Sequence, residues 1–463
     1  MISSNDFFYH IYPLGMLGCP ERNERTSETN HALRRIADFI PHLQSIGVTA
    51  VYLGPLFESS SHGYDTVDYR LVDRRLGSNE DLVWLVSRFH EGGIKVVLDA
   101  VLNHTGRDFF AFQDLRNRGP TSEYRAWYRG VDFSKRSPEG DSFSYEGWSG
   151  HFSLAKLNTD APAVREHLVE ATIGWIDEFG IDGLRLDAAD VLDPGFMDYL
   201  AARCRARKPG FWLMGEVVHG DYRHWARAGR LDSTTNYELY KGLWSSLNDG
   251  NLFEIAWTLD RQWGPTGLYR DIALYNFADN HDVNRVASSL KEAAHLYVLY
   301  GMLFTAPGIP SLYYGSEWGI RGIKANGSDA ALRPAIESPS SAIRFARLAP
   351  DCMPPTDPDA LLGAIARFAR LRREVAALRS FDYRQLHVSS LQLAYERGSG
   401  TEAVIVAVNA SKKPASVRIA DASTGDSAAR WMDLLDPGYE ARSAGGGLTV
   451  SVPPTWLRVL ARR

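Results

Sequence analysis

"GIDGLRLDAAD", residues 180–190, sets Arg185 and Asp187 two positions apart in an otherwise apolar run. In a buried strand such charges cost free energy unless they are paired or in use. Strand alternation puts Arg185 and Asp187 on one face and Leu184 and Leu186 on the other. A fixed cation beside Asp187 keeps that carboxylate deprotonated and oriented. The stretch therefore reads as a strand that carries chemistry at its C-terminal end.

Other short apolar runs read as strands too: 7–13, 48–55, 95–104, 210–218, 273–282, 308–317 and, more weakly, 233–239. Helix-like stretches such as 32–46, 79–92, 162–179, 194–207 and 285–304 lie between them. The second of these starts at a capping Ser78, has acids in its first turn and ends at Gly92 and Gly93. Strand and helix alternating eight times is the pattern of an α/β fold of the (β/α)8 TIM-barrel type. Residues 1–104 and 161–379 are assigned to that barrel. The connection after the third strand, 105–160, is too long for a bare loop and is expected to be an inserted subdomain over the barrel mouth. From 380 to 463 the pattern changes to alternating strands, "FDYRQLHV", "LQLAYERG", "EAVIVAVNA", "ASVRIAD" and "LTVSV", with Gly, Asn and Ser turns. That is a C-terminal antiparallel β-sandwich domain. The biased segment 337–359 reads as a loop before the last barrel helix.

Hydrophobic content of 44% and charged content of 23% are ordinary for a globular enzyme, and a net charge of −5 gives no reason to expect nucleic acid. Cys19, Cys204 and Cys352 are odd in number and far apart, which argues against a disulfide framework. The N-terminal "MISSNDFFYHIYPLG" has no basic region followed by an apolar stretch, and no run is long enough to span a membrane. A cytoplasmic location, without membrane partners, is the expectation.

Charged residues cluster at the C-terminal ends of the strands. Asp99, Asn103 and His104 end the third, Arg185, Asp187 and Asp190 the fourth, Glu216 the fifth, and Asn280, His281 and Asp282 the seventh. In a (β/α)8 barrel these ends converge on one mouth, where active sites are built. Crowded carboxylates repel, so at least one keeps its proton near neutrality while a neighbour stays ionised. Such a pair can cleave a glycosidic bond with retention, one carboxyl acting as nucleophile and the other as acid/base.

These residues carry a family resemblance. "DAVLNH" (99–104), "GLRLDAAD" (183–190), "GEVV" (215–218) and "FADNHD" (277–282) resemble, in order and spacing, the four motif regions of the α-amylase superfamily, glycoside hydrolase family 13. "HGYDTVDY" (62–69), "LAKLNTD" (154–160) and "YYGSEWG" (313–319) look like its supporting motifs, and the resemblance spans about residues 5–340. It implies Asp187 as nucleophile, Glu216 as general acid/base and Asp282 as the third carboxylate, holding hydroxyls of the distorted ring. It also implies sugar contacts from His104 and His281, with Tyr64 stacked under the ring. Asp329 and Arg333 match a pair that grips the next sugar.

"LAKLNTD" resembles the "MPKLN" form of the neopullulanase and cyclomaltodextrinase group, with Ala155 where that motif has Pro. Asp190 and Val191 stand where calcium-dependent α-amylases usually have Lys-His, so neither a metal nor a cofactor is expected. The chain begins at its first barrel strand, without the N-terminal β domain through which many cyclomaltodextrinases dimerise, and a homodimer stays an open expectation. The activity implied is that of a retaining α-glucan hydrolase on short or cyclic malto-oligosaccharides, including cyclic maltosyl-maltose. Its alternatives are an α-glucosidase and a transglycosylase or isomerase such as a glucanotransferase or trehalose synthase. A non-catalytic glucan-binding protein would have no need of three mutually repelling carboxylates. The insert aromatics Trp127, Tyr128, Tyr145, Trp148 and Phe152 are expected to narrow the cleft.

Overall fold

The computed structural model describes residues 1–24, 29–325, 327–341, 358–420, 429–444 and 447–463. Most of the biased segment 337–359, and Cys352 with it, lies outside these residues. Eight parallel strands form the barrel: β1 (Phe8–Ile11), β2 (Ala50–Leu53), β3 (Lys95–Ala100), β4 (Gly183–Leu186), β5 (Trp212–Gly215), β6 (Ser233–Thr234), β7 (Tyr275–Phe277) and β8 (Ile309–Tyr313). They pair in the order β6-β5-β4-β3-β2-β1-β8-β7. The ring closes where Thr235 bridges to Tyr275 and the Asn236 N–H donates to the Tyr275 carbonyl at 2.9 Å.

Local chemistry explains the opening stretch. Helix Pro162–Phe179 starts with Pro at its first turn and ends on Gly180, whose φ of 71° is the left-handed cap that glycine allows. Gly183 then lets β4 approach β5, since a Cβ there would meet the Trp212 carbonyl oxygen at 2.5 Å. Leu184 and Leu186 pack outward into the layer between strands and helices. The barrel interior is filled by Phe8, Ala50, Tyr52, Val97, Trp212, Met214, Tyr275, Phe277 and Ile309, a packed core rather than a pore.

Three expected elements differ. The 233–239 run is a strand only over Ser233–Thr234, and Tyr237–Asp249 is a helix capped by Asn236, whose side chain accepts the Leu239 N–H. The 32–46 helix is a 3-10 segment, Ala32–Phe39, followed by an α-turn, Ile40–Ser45. Pro41 cannot donate into a continuous α-ladder and crowds the carbonyl four residues back, so the helix restarts there. The 285–304 helix divides into Val286–Ser289 and His295–Thr305. Asn248 holds the break, donating to Ser289 O at 2.7 Å and accepting from the Lys291 N–H at 2.8 Å.

The insert contains helix Phe110–Arg118 and a small antiparallel sheet in which His104–Gly106 pairs with His151–Lys156, itself paired with Gly147–Trp148. The C-terminal strands are β9 (Tyr383–Val388), β10 (Gln392–Arg397), β11 (Val404–Asn409), β12 (Ala415–Ile419), β13 (Arg430–Asp433), β14 (Glu440–Ala444), β15 (Gly447–Val452) and β16 (Trp456–Arg462). They run in the order β9-β10-β11-β16-β13-β14-β15-β12, all pairs antiparallel, folded into a sandwich. Strand β11 is buried on both faces. Val404, Val406 and Val408 join the core shared with the barrel, while Ile405 and Ala407 face the sandwich interior. Among the described residues no helix is long and apolar enough to cross a membrane.

Candidate active site

Arg185 sits in the barrel at the level of the mouth, 3% exposed, and its guanidinium meets three carboxylates. Nη1 donates to Asp99 Oδ1 at 2.8 Å and to Asp187 Oδ1 at 2.9 Å, and Nη2 stands 2.8 Å from Glu216 Oε2. All three distances are those of charge-assisted bonds. Asp99 is held further by the hydroxyls of Tyr52 at 2.7 Å and Tyr64 at 2.9 Å.

This corrects one expectation. Arg185 does not by itself keep Asp187 deprotonated, because its charge is divided over three acids. Burial pushes the Asp187 carboxyl well above the usual carboxylate range, Arg185 opposes it, and the charges of Glu216, Asp99 and Asp282 add to it. The crowded acids therefore hold a proton above ordinary carboxylate pH, and that titration belongs to the group rather than to one residue.

Ala188, directly after Asp187, has a φ of 46° and a ψ of 44°. A left-handed alanine costs on the order of 1–2 kcal/mol. The turn points the Ala188 N–H at Glu216 Oε2, 3.1 Å away, so the strain aims a donor at the site. Glu216 Oε1 faces the Tyr237 hydroxyl at 3.3 Å.

Asp282 lies on the other side of the mouth. Its Oδ2 is 2.9 Å from His281 Nε2, and its Oδ1 accepts from Arg333 Nη2 at 3.0 Å. Burial alone would raise this carboxyl, but His281, Arg333 and Arg185 outweigh it and hold it well below the usual range. Arg333 also donates to Asp329 Oδ2 and to the His281 carbonyl, each at 3.0 Å, and lies over the Tyr12 ring at 4.4 Å. Tyr64 stacks parallel to His281 with centroids 5.5 Å apart and hydrogen-bonds its Nε2. The Asp329–Arg333 pair thus joins the site instead of standing as an isolated surface pair.

His104 is buried, with Nδ1 near Asn103 Nδ2 at 3.2 Å and Nε2 without a protein partner. Burial, with His62 adding to it, pushes its imidazole down to about 3, so it is neutral. Asp190 is exposed. Among the described residues no cluster of three or more His, Cys, Asp or Glu side chains could hold a metal ion.

The insert aromatics divide. Tyr128 and Tyr145 are its own small core, packed on Phe112 at 5.0 and 4.9 Å. Phe152 lies edge-on against Tyr145 at 5.6 Å, and Trp127 packs on Tyr124, Phe110 and His167. Only Trp148 of the five contacts a candidate site residue, tilted against His104 at 5.6 Å.

Sequence reasoning missed His10, Tyr12, Tyr52 and Tyr237. His10 stacks on Tyr52 at 4.2 Å and meets His281 edge-on at 5.1 Å. The period-2 alternation of β1 and β2 carries that signal, because His10 pairs in register with Tyr52. Tyr237 was hidden by reading its segment as a strand.

The family described as "Alpha amylase, catalytic domain" matches residues 20–347. A cyclomaltodextrinase from Geobacillus thermopakistaniensis is 31% identical over 436 residues, 91% of this chain and 68% of that protein. Neopullulanase 2 from Thermoactinomyces vulgaris is 35% identical over 301 residues, 63% of this chain and 50% of that protein. The chain thus spans about half to two thirds of these curated relatives. The solved cyclic α-maltosyl-(1→6)-maltose hydrolase from Arthrobacter globiformis superposes with a TM-score of 0.79 at 25% identity, covering 99% of both chains. The chain belongs to the α-amylase family of glycoside hydrolases.

Proposed function

We propose that this protein is a retaining α-glucan hydrolase that cleaves α-glucosidic bonds of short or cyclic malto-oligosaccharides through a covalent glycosyl-enzyme intermediate. The observation that carries the reading is the Arg185 fork, with Asp187 on Nη1 at 2.9 Å and Glu216 near Nη2 at 2.8 Å. Carboxylates tied to neighbouring nitrogens of one planar group suit the about 5–5.5 Å separation of a retaining pair, not the about 6.5–9.5 Å of an inverting pair. Asp187 attacks the anomeric carbon while Glu216 gives its proton to the leaving oxygen. Glu216 then takes a proton from the water that releases the sugar. Asp282, kept ionised by His281 and Arg333, binds hydroxyls of the distorted ring. Neutral His104 offers its unpartnered Nε2 to the same sugar, Tyr64 lies under it, and Arg333 with Asp329 grips the next.

The reading uses three units: barrel 1–104 and 161–379, subdomain 105–160 at its mouth, and sandwich 380–463. Preference for short or cyclic substrates draws on the substrates for which the relatives are named and on Trp148, which brings the insert to His104. Proton NMR in the first minutes of reaction, on amylose, linear malto-oligosaccharides, cyclodextrins and cyclic tetrasaccharides of mixed linkage, tests it. The α-anomer should appear first, with sugars released to water and amylose the poorest substrate. Initial release of the β-anomer would mean inversion, and dominant transfer to another sugar would make the protein a transglycosylase.

Calcium should be dispensable, because Val191 offers no ligand side chain and, among the described residues, no group of three or more His, Cys, Asp or Glu side chains could hold a metal ion. Dialysis against a chelator is expected to leave kcat/KM unchanged. A loss restored only by added calcium would contradict this.

A further inference from the structure

We propose that Tyr237 is a positioning residue that donates to Glu216 Oε1 once the transferred proton has left it, and so weakens that oxygen's hold on the proton. The proposal rests on reading Glu216 as the acid/base. Asn280 sets the direction of the hydrogen bonds. Its Oδ1 accepts the backbone N–H of Asp282 at 2.8 Å and of Val283 at 3.1 Å. The amide orientation is thereby fixed, and Nδ2 is the end turned to the Tyr237 hydroxyl at 3.3 Å. An amide N–H can only donate, so the tyrosine oxygen accepts there. Its single proton is left for Glu216 Oε1, also at 3.3 Å. Both contacts are long for hydrogen bonds to or from a hydroxyl. Catalytic hydrogen bonds are often long in empty sites and tighten with substrate.

The other oxygen of Glu216 is already occupied. Oε2 takes the Ala188 N–H at 3.1 Å and lies 2.8 Å from Arg185 Nη2. With the Ala188 N–H donated to Oε2 and the Arg185 charge beside it, the carboxyl proton belongs on Oε1. When it passes to the glycosidic oxygen, Oε1 becomes negative and the Tyr237 hydroxyl donates to it. In the second step water loses a proton to the same oxygen, and the hydroxyl yields. A hydrogen bond to the charged form favours that form. Tyr237 is not itself the acid, since burial, then the charges of Glu216 and Asp282, push its phenol well above the ordinary tyrosine range. The charged groups around Glu216 are Arg185 at the end of β4, Asp187 after it and Asp282 after β7, with Asp99 of β3 acting through Arg185. Tyr237→Phe changes none of them. The ring keeps its edge-on packing against Phe277 at 5.0 Å and Tyr240 at 6.0 Å.

The test compares pH profiles of kcat/KM for wild type and Tyr237→Phe, on a malto-oligosaccharide and on an α-glucosyl fluoride, well below the variant's Tm. With the oligosaccharide, the alkaline limb reports loss of the proton that the crowded acids share. Removing the donor should move it up by about one pH unit, the scale of one hydrogen bond to a charge. With the fluoride, which needs no proton, that limb should be weak in wild type and in the variant alike. Tyr237→Leu adds a packing defect and should lower rates on both substrates beyond any limb shift. An unmoved limb in Tyr237→Phe, with equal losses on both substrates, would reduce Tyr237 to packing and overturn the proposal. An alkaline limb as strong on the fluoride as on the oligosaccharide in wild type would instead overturn the acid role of Glu216.

Discussion

Asp187→Asn is expected to lower kcat by roughly four orders of magnitude or more, the scale on which loss of a covalent nucleophile acts. Binding of malto-oligosaccharide should stay within a few-fold of wild type. Asparagine keeps the shape, and its amide oxygen can still accept from Arg185 Nη1, which meets Asp187 at 2.9 Å. What it lacks is the negatively charged oxygen that attacks the anomeric carbon and forms a neutral ester with it. The fold should not suffer. Burial disfavours the charged form of Asp187, and Glu216, Asp99 and Asp282 all repel it. A neutral isostere removes that repulsion and leaves Arg185 paired with Asp99 and Glu216 at 2.8 Å each. Tm should therefore equal or exceed that of wild type. Turnover, calorimetric affinity and a thermal melt on the same sample separate the three effects. Near-wild-type turnover would remove Asp187 from the nucleophile's place, and a collapsed Tm would make the loss one of folding.

Legibility in the sequence followed the strength of local rules. Helices Pro162–Phe179 and Pro194–Arg207 fall where the pattern predicts them, because a proline opens each and a glycine closes the first. Ser78 and Asp81 form the reciprocal cap that the Ser at the start of Asn79–Glu91 announces. The rules failed where a distant group decides. Asn248 breaks the 285–304 helix from another helix, and no local pattern shows it. In the C-terminal domain β13, β14 and β16 were missed. Strand β16 sends Leu457 and Val459 toward the barrel and Leu460 into the sandwich, and buries Arg458 against Asp433 at 2.6 Å. A strand buried on both faces with a paired charge inside it has no clean alternation to read.

The candidate site was legible to a similar degree. The acids, both histidines and Arg185 announce themselves as charges at the ends of apolar runs. Their neighbours do not. Tyr52 and His10 look like ordinary barrel residues until register sets them side by side, under Asp99 and His281 respectively. The lid of aromatics was misjudged for the converse reason: aromatic content does not say which rings fill a small subdomain. Tyr128 and Tyr145 are needed to bury the insert's own helix, which leaves Trp148 at the hairpin turn for His104.

Glu216→Gln should split substrates by leaving group. On malto-oligosaccharides, whose leaving oxygen needs a proton, kcat/KM should fall about 10²–10⁴-fold. On an α-glucosyl fluoride, which leaves without one, it should fall far less. The geometry says why the variant can stay in place. The Ala188 N–H at 3.1 Å and Arg185 Nη2 at 2.8 Å require an acceptor where Oε2 stands, so the amide oxygen takes that position. The amide NH₂ then faces the Tyr237 hydroxyl, which can accept from it. Glutamine therefore keeps the carbon skeleton and both anchors while removing the transferable proton. It also removes the base of the second step, so the intermediate on Asp187 should drain slowly. With the fluoride this predicts a burst of about one fluoride per enzyme before a slow steady rate. Initial rates on both substrates, with the burst amplitude, decide the matter. Equal losses of kcat/KM on the two substrates would take the acid role away from Glu216. A fluoride rate that is preserved without any burst would take away its role as the base.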